Sequence, residues 1–237
     1  MRTCLLICLL AVPAAHAAHC ASISGDTRAR LVELYTSEGC SSCPPADRWL
    51  SNLPREAGVI PLAFHVDYWD RLGWKDPYGQ VAFSQRQRMR NAAAGWIYTP
   101  QVMLDGMDFR GWMSGLPRTA AAPALVRLAL AIEQTPVQLT ARVDARFASS
   151  ETARGAQLYL ALYENRLRST VTAGENARRT LDHDHVVRAL AGPFRATGTR
   201  HRFDLLPDWK APDLAVAAFM VDARGGTLQA LAQPACP

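Results

Sequence analysis

The first half of the chain alternates short apolar runs with segments of helical composition. Apolar runs typical of buried strands occupy 31–35, 59–66 and 101–104. Segments typical of helices occupy 46–53, 81–94 and 120–133, the last rich in Ala and Leu. This strand–helix alternation predicts an α/β unit with helices on both faces of a sheet, covering residues 28–134.

After residue 134 the helical signals become sparse. Strand-like segments follow one another at 136–147, 156–163, 201–205 and 214–221. A Gly225-Gly226 pair after the last of them is typical of a hairpin turn. We therefore expect residues 136–237 to form a β-rich, sandwich-like C-terminal domain.

The N-terminus has the three parts of a secretory signal peptide. Arg2 supplies a positive charge, the apolar run 5–12 follows, and Ala15 and Ala17 occupy the positions that a signal peptidase reads. The run is too short to span a bilayer, and no other stretch reaches that length. We expect residues 1–17 to be removed and the protein to be periplasmic or secreted, without a membrane span.

The composition is that of a globular protein, with 49% hydrophobic and 20% charged residues. The formal net charge is +5, but no run of five like charges occurs. The charge pattern therefore gives no reason to expect a nucleic-acid partner.

Removal of the signal peptide would leave four of the six cysteines, namely Cys20, Cys40, Cys43 and Cys236. An even number in an oxidising compartment suggests two disulfides, and four cysteines allow three pairings. The simplest pairing joins Cys40 to Cys43 and makes Cys20–Cys236 a structural disulfide between the two ends of the mature chain.

The segment Cys40-Ser41-Ser42-Cys43 lies between a predicted strand and a predicted helix. At a helix N-terminus, the helix dipole and unpaired N–H groups favour a thiolate, so the pair suits thiol–disulfide exchange. An inert disulfide and half of a zinc site are the alternatives. Zinc would need two further ligands of matching spacing, and no such pair lies nearby.

Several longer motifs carry a family resemblance. They are ELYTSEGCSSCPPAD (33–47), HVDYWD (65–70), LGWKDP (72–77), YTPQ (98–101), GEN (174–176) and HVVR (185–188). Together they resemble a bacterial family of secreted thioredoxin-like proteins catalogued as a domain of unknown function. The resemblance implies a thioredoxin-like domain with a helical insertion at 67–96, and it implies little about the substrate.

The resemblance also implies site residues. Pro100 would follow a cis peptide bond and face the cysteine pair, leaving the backbone of Thr99 free to pair with a bound peptide. A trans proline at the start of a strand is the alternative. Glu33 would be a buried acid that handles the proton of the second cysteine, or else a carboxylate at a strand edge facing water.

Two prolines, Pro44 and Pro45, directly follow the second cysteine. Proline fits the first helical turn but clashes deeper in a helix. We therefore expect the helix to begin late, with Ser41 or Ser42 as its N-cap and with Cys40 in the preceding loop.

Aromatic residues concentrate in the insertion. Trp69 and Trp74, with two neighbours, are candidates for an apolar substrate groove beside the thiols, although ordinary core packing would use the same residues. His183 and His185 would share one face of a strand, but two ligands do not make a metal site.

The sequence thus predicts thiol–disulfide exchange with an exported protein or a small thiol, and an unidentified redox partner. Cys40 would attack and Cys43 would resolve the mixed disulfide, with no organic cofactor or metal required. The alternatives are a non-catalytic secreted binding protein with a structural disulfide and a periplasmic copper chaperone.

Overall fold

The structure is a computed structural model that describes residues 17–54, 58–118, 122–195 and 198–236. The predicted signal peptide, residues 1–17, lies outside the described residues except for Ala17. No helix in the described ranges is long and apolar enough to cross a membrane.

Strands predominate in the part of the chain that the structure describes. The strands are β1 (Ala18–Ile23), β2 (Arg30–Thr36), β3 (Val59–His65), β4 (Gln101–Leu104), β5 (Met107–Asp108), β6 (Val126–Thr135), β7 (Gln138–Phe147), β8 (Gln157–Glu164), β9 (Leu167–Thr170), β10 (Thr180–His183), β11 (Val186–Phe194), β12 (Thr199–Asp204), β13 (Leu214–Val221) and β14 (Thr227–Pro234). The α-helices are α1 (Pro44–Ser51), α2 (Val81–Arg90) and α3 (Ser150–Ala153).

A mixed eight-stranded sheet forms the centre of the molecule, in the order β14-β13-β8-β11-β3-β2-β4-β5. Strands β2 and β3 run parallel, with Leu34 opposite Ala63. Strand β11 adds in parallel to the other edge of β3 through Val186, which is opposite Ala63. Strands from both halves of the chain therefore share one sheet.

A second sheet, in the order β1-β6-β7-β12, is antiparallel throughout and covers the β14-β13-β8 end of the first. Its inward residues include Leu128, Leu130 and Val143, which pack with Leu160 and Val216 of the larger sheet. All five side chains are fully buried, so this sandwich is the main hydrophobic core.

The two longer helices cover opposite faces of the β2-β3-β4 region. Val32 and Leu34 of β2 pack with Leu50 of α1. The alternate residue Tyr35 packs with Phe83 of α2. This follows from the alternation of side chains along a strand, which places successive residues on opposite faces.

The predicted fold class was wrong. The chain is not an α/β thioredoxin-like domain with a helical insertion followed by a separate sandwich, because strands predominate and one sheet collects strands from both halves. The division into domains at 28–134 and 136–237 stays a prediction.

The clearest local error is the helix expected at 120–133, of which the described residues 126–133 belong to strand β6. Buried and more exposed positions alternate along β6, with Val126, Leu128, Leu130 and Ile132 pointing inward. The Ala and Leu content favoured a helix, but the two-residue alternation and the partner sheet outweigh that preference.

Candidate functional site

The cysteine pair lies between the end of β2 and the start of α1. Cys40 and Cys43 form a disulfide with a Cα–Cα distance of 5.4 Å. Cys43 is the N-cap of α1, so the predicted serine cap was wrong. Pro44 and Pro45 then occupy the first helical turn, where a missing N–H costs nothing. Cys40 lies in the preceding loop, as expected.

Both cysteines are fully buried. A cover loop, residues 171–179 between β9 and β10, lies against the cysteine loop. The side-chain amide of Asn176 donates to the carbonyls of Glu38 at 2.8 Å and of Cys40 at 2.9 Å. The backbone N–H of Ser41 donates to Glu175 Oε2 at 2.9 Å. Hydrogen bonding from the side chain and the backbone of Ser41 lowers the pKa of Glu175. The cover loop therefore holds the cysteine loop by these hydrogen bonds.

Thr99 and Pro100 reach the same place from the neighbouring strand. Because Tyr35 of β2 is opposite Gln101 of β4, Pro100 lies beside the end of β2 that leads into the cysteine loop. The Thr99–Pro100 bond is cis, which confirms the prediction. The indole of Trp69 donates to Thr99 Oγ1 at 2.7 Å.

Trp69 also lies directly against Gly39. A Cβ atom at Gly39 would come within 2.9 Å of the Trp69 Cβ, so a larger residue would displace either the cysteine loop or the Trp69 segment. Trp74 lies elsewhere, and its indole donates to Glu38 Oε2 at 2.8 Å. The structure thus brings Trp69 and Thr99 together beside the cysteine loop, whereas Trp74 contacts the buried carboxylate of Glu38.

An acid–histidine cluster of five buried side chains lies at this end of the sheet. Its members are Glu38, Asp47, His65, Asp76 and His183. His65 Nδ1 is 2.7 Å from Asp76 Oδ2, and His183 Nε2 is 3.0 Å from Glu38 Oε1. The two imidazole centroids are 5.1 Å apart, so two histidine–carboxylate pairs face each other.

Burial and neighbouring charges shift the pKa values of three members of the cluster, namely His65, Asp76 and Asp47. Burial alone would lower the pKa of His65, but Asp76, Asp47 and Glu38 together outweigh burial and raise it. Burial alone would raise the pKa of Asp76, but His65 and the backbone N–H groups of Glu38 and Tyr78 together outweigh burial and lower it. For Asp47, burial dominates and raises the pKa, even though both imidazoles oppose it.

Glu33 lies on the opposite face of β2 from the helix α1. It is fully buried, and its Oε1 accepts a hydrogen bond from Arg86 Nε at 3.1 Å, with Arg90 as a second cation. Burial alone would raise the pKa of Glu33, but these two guanidinium groups outweigh burial and lower it. The proton-handling role of Glu33 stays a prediction, and the lowered pKa makes this carboxylate a poor proton store.

Replacing Glu33 with alanine is expected to lower the free energy of unfolding by about 3–5 kcal/mol, because Arg86 would remain buried without its partner. Urea denaturation would measure this loss. The matched control is Asp182→Ala, which removes the partner of Arg168 from a pair with both side chains exposed and should cost about 1 kcal/mol or less. Equal losses of unfolding free energy in the two variants would show that Glu33 does not stabilise a buried Arg86.

Sequence reasoning placed neither the acid–histidine cluster nor the cover-loop amide at the cysteine pair. Asp47 and Asn176 stood inside the quoted motifs, but nothing in their spacing shows that they meet at the cysteine loop. His183, considered as a metal ligand with His185, contacts Glu38 instead. In the described ranges no group of three or more His, Cys, Asp or Glu side chains has an arrangement that could hold a metal ion.

Comparison with solved structures shows similarity over 89% of this chain in two cases. A protein from Agrobacterium tumefaciens has 22% sequence identity and a TM-score of 0.59, with 96% of its own chain covered. HBP35 of Porphyromonas gingivalis has 15% identity and a TM-score of 0.63, with 76% of its chain covered. At these identities the similarity concerns the fold alone.

No curated protein matches the chain. The model of one family, described as "Protein of unknown function (DUF1223)", matches residues 31–221. This range includes the cysteine pair, Thr99-Pro100, the cover loop and all five members of the acid–histidine cluster. The chain therefore belongs to the DUF1223 family.

Proposed function

We propose that the protein is a thiol–disulfide oxidoreductase that acts through Cys40 and Cys43. The observation that carries the proposal is the position of this disulfide, which bridges a loop and the N-cap of a helix beside the buried acid–histidine cluster. The helix N-terminus favours the thiolate that exchange requires.

The size of the disulfide loop supports a chemical rather than a stabilising role. In the loop-entropy model, closing four residues contributes about 2 kcal/mol, which is far less than a long-range disulfide contributes. The chain already has such a long-range link in Cys20–Cys236, with a sequence separation of 216. The second, very local link therefore adds less than half as much to stability as Cys20–Cys236 does.

In the proposed reaction an incoming thiolate attacks Cys40 and displaces Cys43 as the leaving thiolate. Thr99 and Pro100 lie at the same end of the sheet, where the Thr99 backbone would pair with a bound peptide and Pro100 would shape the site. The substrate is an exported protein or a small molecule with a thiol or disulfide. Two disulfides are compatible with export into an oxidising compartment.

The test is the reduction potential of Cys40–Cys43, measured by equilibration with glutathione and followed by thiol trapping and mass spectrometry, together with insulin reduction. A potential between about −270 and −120 mV with turnover supports an oxidoreductase. Cys40→Ser should abolish turnover. A value well below about −300 mV, without turnover, would refute the proposal.

The burial of both cysteines favours one second candidate, a secreted binding protein in which Cys40–Cys43 is a clamp. Because neither sulfur is accessible in this state, exchange requires the cover loop to move. A disulfide that resists reduction even after the cover loop is loosened would leave the binding protein as the better interpretation.

A further inference from the structure

We propose that Asp47 is the group that gives a proton to Cys43 when the disulfide opens and takes it back when the disulfide forms. The proposal rests on the exchange chemistry proposed for Cys40 and Cys43. It assigns that chemistry a proton-transfer residue which the sequence motifs did not single out.

The first argument is position. Cys43 has helical backbone angles (φ −77°, ψ −38°), and the N–H of Asp47 donates to the Cys43 carbonyl at 3.1 Å. Residues four apart in a helix lie on the same face, and helical side chains point back toward the N-terminus. The Asp47 carboxyl group is thus directed toward the Cys43 end of α1.

The second argument is burial that the nearby Thr36 hydroxyl, which favours the ionised form of Asp47, does not offset. Asp47 is only 6% exposed, and its Oδ1 has no hydrogen-bond partner among the described residues. An ionised carboxylate is costly in such a place, so the protonated form is favoured. A buried acid whose pKa is raised has the property that a proton donor to a leaving thiolate needs.

The third argument is the set of charges that faces Asp47. His183 on β10 and His65 on β3 favour its ionised form, whereas Asp76, in the loop after β3, opposes it. Each imidazole is itself paired with a carboxylate, Glu38 for His183 and Asp76 for His65. When Asp47 loses its proton, two nearby imidazoles are in place to stabilise the new charge.

The step balances as follows. The incoming thiolate forms a sulfur–sulfur bond with Cys40, the Cys40–Cys43 bond breaks, and its electron pair remains on Cys43. The proton moves from the Asp47 carboxyl group to the Cys43 thiolate. In the reverse direction the Asp47 carboxylate takes the Cys43 proton, and the thiolate attacks the mixed disulfide on Cys40 and expels the partner's thiolate.

The experiment compares Asp47→Asn with the wild-type full chain. After a mixed disulfide is formed on Cys40, resolution by Cys43 should be about 100-fold slower in the variant near neutral pH. The difference should vanish at high pH, where Cys43 ionises without help. Asp182→Asn on the exposed face of β10 is the matched control and should behave as wild type. Equal rates and pH profiles in Asp47→Asn and wild type would overturn the proposal.

A second measurement needs neither turnover nor a variant that folds well. Infrared difference spectra of the wild-type chain, recorded between the oxidised and chemically reduced forms, should show loss of a carboxylic-acid carbonyl band on reduction. An unchanged carboxylic-acid region would refute a role for Asp47. If the band changes in the wild type but not in Asp47→Asn, while glutathione exchange and insulin reduction both fail, the oxidoreductase proposal fails and the proton coupling of Asp47 to Cys43 stands.

Discussion

Replacing Asn176 with alanine is expected to raise the rate at which dithiothreitol reduces Cys40–Cys43 by roughly 10- to 100-fold. The Asn176 amide satisfies the carbonyls of both Glu38 and Cys40 in a fully buried place. The Cys40 carbonyl also accepts from the Cys43 N–H at 3.2 Å, so the Glu38 carbonyl is the one that loses its donor. An unsatisfied buried carbonyl costs about 1–3 kcal/mol, which destabilises the closed state of the cover loop relative to an open one. The disulfide would then be accessible for a larger fraction of the time.

The rate is measured by thiol trapping and mass spectrometry under excess dithiothreitol. Asn52→Ala, at the C-cap of α1, is the matched control, because the Asn52 amide bonds only to an exposed stretch of the same helix. Unchanged reduction in both variants would show that the cover loop does not limit access to the cysteines. A faster reduction only in Asn176→Ala would identify its opening as the step that limits access.

Removing the other disulfide should have the largest effect on stability. The double variant Cys20→Ser and Cys236→Ser is expected to lose about 5 kcal/mol of unfolding free energy, because the link closes a loop of more than two hundred residues. Cys20 is on β1 and Cys236 follows β14, so the link fastens the edge strand of the smaller sheet to the end of the chain.

Urea denaturation, with the m-values of the variants and the wild type compared, would measure this loss of unfolding free energy. Cys40→Ser with Cys43→Ser is the internal comparison and should lose about 2 kcal/mol on the same loop-entropy argument. The ratio between the two losses tests the explanation better than either value, since strain and unfolded-state effects alter both. If the Cys40–Cys43 variant lost more unfolding free energy than the Cys20–Cys236 variant, the loop-entropy explanation would be wrong. The Cys40–Cys43 disulfide would then have a structural role.

The local elements around the cysteines were largely predictable because their signals are short-range. Short apolar runs predict β2, β3 and β4, and the proline pair places the start of α1. Each of these signals lies within a few residues of the element that it predicts. The Cys20–Cys236 link was expected as part of the simplest of the three pairings that four cysteines allow, and the structure contains it.

The rest depends on contacts between distant residues, which no local pattern records. Strand β6 combines an Ala- and Leu-rich composition that favours a helix with a two-residue alternation that favours a strand, and its pairing with β7 and packing on the larger sheet decide between them. The acid–histidine cluster joins Glu38 to His183 across 145 positions. Asp47 reads as an ordinary first-turn carboxylate until the packing around it shows that it is buried.

The strand order also constrains when the chain can fold during its biogenesis. Strand β3 is made early, but one of its two edges stays open until β11 has been synthesised, and β14, which closes the far edge of the same sheet, is made last. Pairings this remote in sequence form slowly and leave strand edges exposed meanwhile. The central sheet therefore stays incomplete, with strand edges open to other chains, until both β11 and β14 have left the ribosome.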